Sequence, residues 1–326
     1  MYLKYRPVTI ADLEECSRCI RDAFTYDAAA RRDLLSLWRE LVTAKAANAM
    51  VMEDVRAVPG ERIVWFCFKV FVTDVFATHM KTDAPPFVGR YVVELARAGQ
   101  SPLLNFQQLR KANSPGQCGV NLLVLNSGAP PRVFAQGLWN LIAGKVVEFT
   151  PLCAGGYRLN ELLIEVYDDF GTTWVEGTGM RLRNAYEAYF ARENTSPLRH
   201  ANGAVVVPRL YGISKAEADA AYGTAFSAIF HRQTPRYRFS HAEQELLQWA
   251  LFGESDAELA GSLSISQASV RKRWVGIYAE IARVTPELFG DVRDTEEGRG
   301  AEKKRHILGY LRHHLEELRP ACDTEG

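Results

Sequence analysis

The chain has 326 residues, 39 basic against 39 acidic side chains and 47% hydrophobic content. That length permits two domains, one with a sizeable core. The charge balance excludes a protein that coats polyanions nonspecifically, though it leaves room for a local cationic patch. No apolar run reaches membrane-spanning length and no secretory leader opens the chain, so a cytoplasmic protein is expected.

Residues 2–6 read as a strand ended by Pro7, and Thr9 with Asp12 in the first turn starts a helix over 12–24. Cys16 and Cys19 form a Cys-x-x-Cys, but both share one helical face and no second pair stands at ligand spacing. They are expected to be buried as small hydrophobes, with no metal site. Residues 28–50 read as a second helix. Residues 61–76, rich in aromatic and β-branched types, read as buried strands. A helix is expected over 87–98 and a short strand over 120–125, ended by Asn126-Ser127-Gly128 and Pro130-Pro131. Residues 134–147 and 159–167 read as helices, 174–183 as a strand pair and 184–192 as a helix. The alternation predicts an α/β (α+β) layer fold for residues 1–193.

No Ser/His/Asp triad can be built from the spacing, and His79 and His200 are lone histidines, so no catalytic residue is assigned. Trp65, Phe66, Phe68, Phe106, Trp139, Phe149, Tyr157 and Trp174 read as packed core. The alternative is an apolar pocket for an unidentified small-molecule effector, which would make residues 1–193 a sensor domain.

Tyr5-Arg6-Pro7-Val8-Thr9, then Asp12-Leu13 and Phe24, resembles the first strand and helix of the GNAT acetyltransferase superfamily. That resemblance implies a diphosphate held at a helix start by an Arg/Gln-x-x-Gly-x-Gly/Ala turn. After Leu125 the chain offers Asn126-Ser127-Gly128-Ala129-Pro130-Pro131, and the prolines remove amides needed as donors. The expectation is therefore a GNAT-like scaffold without acetyl-CoA catalysis and without a cofactor.

Residues 194–235 read as a linker, within which Ser214 and Glu217 form a capping box opening a coupling helix to about residue 230. Residues 236–326 read as an all-α unit. Ser240 with Glu243 and Ser255 with Glu258 are capping boxes, Gly253 ends the first helix, and Ser266 caps a third. That third helix carries Arg271, Lys272 and Arg273 in a row. Residues 302–318 form a further amphipathic helix with Ile307, Leu308, Leu311 and Leu315 as its stripe. Lys303, Lys304 and Arg305 near its start could extend a footprint to flanking phosphates.

Phe239-Ser240-His241-Ala242-Glu243, Leu246-Leu247, Gly253, Ser255, Glu258-Leu259-Ala260, Leu263, Ile265-Ser266, Ser269-Val270-Arg271 and Ile277-Tyr278 resemble the LuxR/NarL-type helix-turn-helix module. The resemblance implies base-reading positions at Arg271, Lys272 and Val275 and backbone-contacting ones at Gln267, Ser269 and Arg273. It also implies that Ile277, Tyr278 and Ile281 help pair the modules. The resulting expectation is a sequence-specific, double-stranded-DNA-binding transcriptional regulator, a homodimer and not an enzyme. The alternative is a GNAT-like acetyltransferase carrying a helix-turn-helix localisation module.

Overall fold

The computed structural model describes residues 2–20, 26–114, 117, 119–153, 156–197, 205–220, 226, 229–230, 233–289 and 299–319. Its core is one mixed sheet of seven strands. In spatial order these are β1 (Leu3–Pro7), β2 (Ala47–Asp54), β3 (Ile63–Val72), β4 (Val120–Gly128), β5 (Leu159–Val166), β7 (Arg209–Ser214) and β6 (Arg181–Asn184). Neighbours are antiparallel except β4 and β5, which run parallel.

β3 shows why the aromatic run carries no alternation: all ten of its residues are buried. A strand covered on both faces reads as a continuous apolar stretch. Phe66, Phe68 and Val70 face a core shared with α1 (Leu13–Arg18), α2 (Ala28–Thr43) and α4 (Val88–Arg97). There Trp38 stacks on Phe68 at 4.9 Å. Trp65 and Cys67 face the other side, against Ile142 and Val146 of α7 (Trp139–Cys153). Cys16 and Cys19 lie buried in the first core with free thiols. Arg6 fixes the chain's opening, with bonds to Asp12 at 2.7 and 2.9 Å and to Glu53 at 3.0 and 3.1 Å. Burial would push the Asp12 carboxyl up, but the Arg6 hydrogen bonds hold it below its usual range.

Several elements depart from the expectation. The run 28–50 is not one helix: α2 ends at Thr43, Lys45 takes a left-handed φ of 54°, and Ala46 N–H returns to Leu41 O. The Ala-rich stretch beyond has helical propensity, which pairing with both β1 and β3 overrides. Residues 159–167 hold the strand β5, because that segment lies between β4 and β7. Residues 174–183 hold the end of α8 (Asp169–Gly177), capped by Asp168, and the start of β6. α9 (Glu187–Arg192) starts late, after Tyr186 at φ 60°. β7 falls where only linker is expected.

The remaining helices are α3 (Asp74–Thr82), α5 (Phe106–Ala112), α6 (Pro131–Ala135), α10 (Lys215–Ala220), α11 (His241–Leu251), α12 (Asp256–Ser262), α13 (Gln267–Val284) and α14 (Arg299–His313). Helices α11 to α14 share an apolar cluster of their own, in which Leu246, Leu259, Val270, Ile277, Ile281, Ile307 and Leu311 are fully buried. Ser240 and Ser255 each accept from the amide three residues on, and the Glu there bonds back. Ser266 accepts from Ser269 N–H. No described helix is long and apolar enough to cross a membrane.

This cluster is tied to the sheet. Lys4 meets Glu254 at 3.1 Å and Glu258 at 3.0 Å, Lys45 meets Glu245 at 2.7 Å, and Tyr5 packs on Phe252 at 5.6 Å. Gly156, at φ +74°, lies so close that an added Cβ would stand 2.0 Å from Leu315 O, and Arg319 Nε donates to Gly156 O at 3.1 Å. Gly156→Ala therefore combines backbone strain with a clash against main chain. It should cost on the order of 1–3 kcal/mol and lower the thermal midpoint. An unchanged midpoint in a calorimetric scan would contradict this packing.

Candidate active site

The parallel pairing of β4 with β5 is short. It runs from Val120↔Leu159 to Val124↔Ile164 and then stops. Beyond that point β4 continues beside β3 only, as far as Gly128, and β5 continues beside β7 only, as far as Val166. The register between β3 and β4 shifts between Phe68/Asn126 and Lys69/Val124, which makes Leu125 an extra residue. A bulge of that kind bends a strand and increases its twist. Here it turns the β4 arm away from β5.

The wedge opens into a cavity of about 350 Å³. Leu125 to Ala129 line one side and Glu165 to Asp168 the other, with Trp65, Trp139 and Trp174 among the apolar walls. Cys67 and Lys69 of β3 form part of the floor. Lys69 is only 6% exposed and is the one cation among the described residues lining the cavity. The inner edges of both arms pair with no strand, so the wedge can take an extended, amide-bearing chain as an added strand.

Glu165 and Tyr167 give the wall its chemistry. Glu165 accepts from Phe87 N–H at 2.9 Å, Val88 N–H at 2.7 Å and Tyr167 O–H at 2.8 Å. Burial pushes its carboxyl up to about 7, against the pull of these hydrogen bonds. Tyr167 stacks on Phe87 at 5.9 Å. Tyr186 is buried nearby, and burial first and the Glu165 charge second push its phenol well up. On the opposite arm Asn126 Nδ2 donates to Tyr26 Oη at 3.1 Å, while Asn126 Oδ1 is buried with no hydrogen-bond partner among the described residues. Gly89 of α4 makes this approach possible: a Cβ there would meet Tyr26 Oη at 2.6 Å and Leu125 O at 2.8 Å.

Four helix starts meet the wedge: α7 begins at the lining residue Trp139, and the other three are closed. The first two amides at the start of α4 go to Glu165. Helix α8 is capped by Asp168, whose carboxylate takes Gly171 N–H at 2.7 Å. At α6, Pro130 and Pro131 carry no N–H, and Val133 N–H donates back to Pro130 O. Arg132 is turned aside, donating to the carbonyls of Glu61 and Ile63.

The residues singled out by sequence lie elsewhere. Gln267, Arg271 and Lys272 are exposed on α13, and Val275 is 65% exposed. Arg273 is half-buried and donates to Ala242 O at 3.1 Å, and Ser269 Oγ lies 2.9 Å from Ser266 Oγ within the cap. Ile277 and Ile281 are buried in their own cluster, and Tyr278 donates to Gly300 O, so these do not form an outward pairing face. Lys304 bonds Asp256 at 2.9 Å over the Trp274 ring, and Lys303 lies over Phe289. Of the aromatics, Trp65, Trp139 and Trp174 reach the cavity, while Phe66 and Phe68 fill the opposite core. The Phe149 side chain, His200, Cys118 and Cys322 lie outside the described residues. Glu165 and Tyr167 escaped the sequence reading because their segment reads as helix. The β-branched Ile164 and Val166 just before the Asp168 cap are the signal that marks a strand-to-helix turn.

No protein-family model matches the chain, and no curated protein does. Among solved structures, it is similar to Arabidopsis thaliana NAA60 in complex with acetyl-CoA, 14% identical over 65% of this chain and 98% of that one, TM-score 0.37. It is similar to the Vibrio cholerae spermidine N-acetyltransferase in complex with CoA and spermine, 10% identical over 66% and 96%, TM-score 0.35. It is likewise similar to the Escherichia coli ribosomal-protein-S18-alanine N-acetyltransferase, 8% identical over 65% and 93%, TM-score 0.33. Against the expectation of a DNA-binding transcriptional regulator that is not an enzyme, these matches are all acetyltransferases by title and are a correction to it. None of Arg271, Lys272 and Arg273 lines the cavity.

Glu165 gives the fold a pH signature. Its folded value of about 7 lies above the ordinary 4.5, so the native protein holds a proton that the unfolded chain releases. The associated stability is full below the ordinary value and is lost as pH rises through about 7. Glu165→Gln should flatten the dependence of the unfolding midpoint on pH across that window. A slope equal to that of the parent would show that the carboxyl titrates normally.

Proposed function

We propose that the chain is a GNAT-type N-acyltransferase, moving an acyl group from a pantetheine thioester to an amine. The observation that carries this reading is the wedge where β4 and β5 part, with the Tyr167–Glu165 pair on its wall. The resemblance of Tyr5 to Leu13 to the opening of the GNAT superfamily accords with it. The residues present fit the amide-bearing arm and the acyl group. The prolines leave the start of α6 without its first donors.

Proton movement follows from the hydrogen bonds. Tyr167 takes a proton from the acceptor nitrogen as it passes its own to Glu165 across 2.8 Å. A carboxylate near 7 suits that task at neutral pH. Lys69 offers positive charge to the oxygen on which negative charge develops, inside an apolar cavity where such an interaction is strong. As the C–N bond forms and the C–S bond breaks, the relay runs backwards and delivers the proton to the departing sulfur.

In this reading α11 to α13 form a helix-turn-helix unit that localises the enzyme and does not act as a transcription switch. Arg271 and Lys272, both exposed, are its outward cations, and duplex DNA is the partner their placement suits. Replacing both by Ala should shallow the salt slope of duplex retention by roughly two and leave acyl transfer unchanged. Equal retention by parent and variant would remove DNA as the partner.

The chemistry is tested by thiol release from acyl-pantetheine with spermidine and peptide amines as acceptors. The rate should rise with pH through about 7, where Glu165 ionises. Tyr167→Phe and Glu165→Gln should each lower kcat by roughly 10²–10⁴ and abolish that rise. A Tyr167→Phe protein with the parent's rate and pH profile would refute the relay.

A further inference from the structure

We infer that the chain has a second ligand site, where the start of β2 meets α11, built for a flat, uncharged ring that carries an amide edge. It is separate from the wedge, and the acyl-transfer reading is not needed for it.

Asn48 is a polar residue in the apolar half of β2. Ala49 and Val51 face the core shared with α2, and Met50 and Met52 face the other side of the sheet. Side chains alternate along a strand, so Asn48 stands on the side of Met50. It is 6% exposed, and its Oδ1 is buried with no hydrogen-bond partner among the described residues. A buried acceptor in that state is costly unless a donor reaches it. Asn48 lines a cavity of about 390 Å³ closed on the far side by α11. That volume lies in the range of small-molecule sites.

The rest of the lining narrows what can enter. Several polar side chains are already engaged: Thr9 Oγ1 donates to Asp12, Ser262 Oγ to Glu254, and Gln244 Nε2 to the carbonyls of Glu317 and Arg319. Lys45 and Glu245 are the acid and base of the lining, and they bond one another at 2.7 Å. Burial first, and Lys45 second, lower the pKa of His241, which leaves its imidazole neutral at pH 7. A charged ligand would therefore lose its water without gaining a free counter-charge. The walls are flat. The Phe106 ring lies 4.8 Å from that of His241, and Tyr157 and Trp249 line the same space. Such faces suit a planar ring. Asn48 itself sets the edge of that ring, because a carboxamide holds an acceptor and two donors in one plane. A ligand N–H beside a C=O answers both.

The test is a titration of the intact chain followed by saturation-transfer NMR, with nicotinamide as the probe. Nicotinate is the charged control, and methyl nicotinate is the uncharged control that lacks the N–H. Nicotinamide should saturate one site, and each control should bind at least about fivefold more weakly, the loss expected for a hydrogen bond. Asn48→Ala should weaken nicotinamide by a similar factor and erase its advantage over the ester. Asn126→Ala, in the wedge, should change neither. Equal affinity for nicotinamide and methyl nicotinate overturns the inference, as does tighter binding of nicotinate. So does a loss of binding in Asn126→Ala but not in Asn48→Ala, which would place the probe in the wedge. No saturation by nicotinamide up to roughly 50 mM, weak even for so small a molecule, overturns it as well. The comparison of amide with ester uses the parent protein, so it decides the matter even if Asn48→Ala fails to fold.

Discussion

The parting of two parallel strands is the constraint on which the rest of the structure depends. β4 and β5 could have gone on pairing, and each backbone group left without a partner in an apolar surrounding costs on the order of 1–3 kcal/mol. The separation persists because other contacts fix both arms. On one side the bulge at Leu125 redirects β4, and Gly89 lets α4 approach so closely that Leu125 O and Tyr26 Oη lie where any side chain would stand. On the other, Glu165 is clamped by the first amides of α4. One helix thus sets the width of the wedge from both arms.

The helical cluster at the C-terminus is mechanically continuous with that wedge. Tyr5 lines the cavity, stacks on Trp65 at 6.0 Å and packs on Phe252 just past α11. Lys4, next to it, is bound to Glu254 and Glu258 on the same side. Behind them Glu317, fully buried, accepts from Arg236 N–H, Tyr237 N–H and Tyr310 O–H. Burial pushes that carboxyl up, and the three donors oppose it. A carboxylate so placed joins the segment before α11 to the turn after α14. The cluster closes on itself before it leans on β1.

What could be read from sequence followed how local each signal is. The capping pairs at Ser240 and Ser255, the helix at 88–97, the aromatic strand β3 and the opening strand are written in neighbouring residues, and those segments stand as helices and strands in the structure. β2 and β5 were misread as helix because Ala, Leu, Glu and Met favour helices locally, and only pairing on both sides makes these segments extended. The error at β5 hid the candidate site, since Glu165 and Tyr167 take their meaning from a strand end and from a partner helix some eighty residues earlier. The prolines after β4 were legible at once. What was not legible is that the other two helix starts are closed as well, because Asp168 and Glu165 meet those amides only in the fold.

The same closures bear on reactivity as well as binding. Internal carboxyl groups meet the positive ends of α4 and α8, and a proline start leaves α6 with few donors, so the dipoles of these three helices add little field at the cavity. Lys69 is 6% exposed among apolar neighbours, where a charge is screened least. It is the one cation among the described residues lining the walls. On the acyl-transfer reading proposed above, the oxygen that becomes negative beside Lys69 meets that charge where screening is weakest.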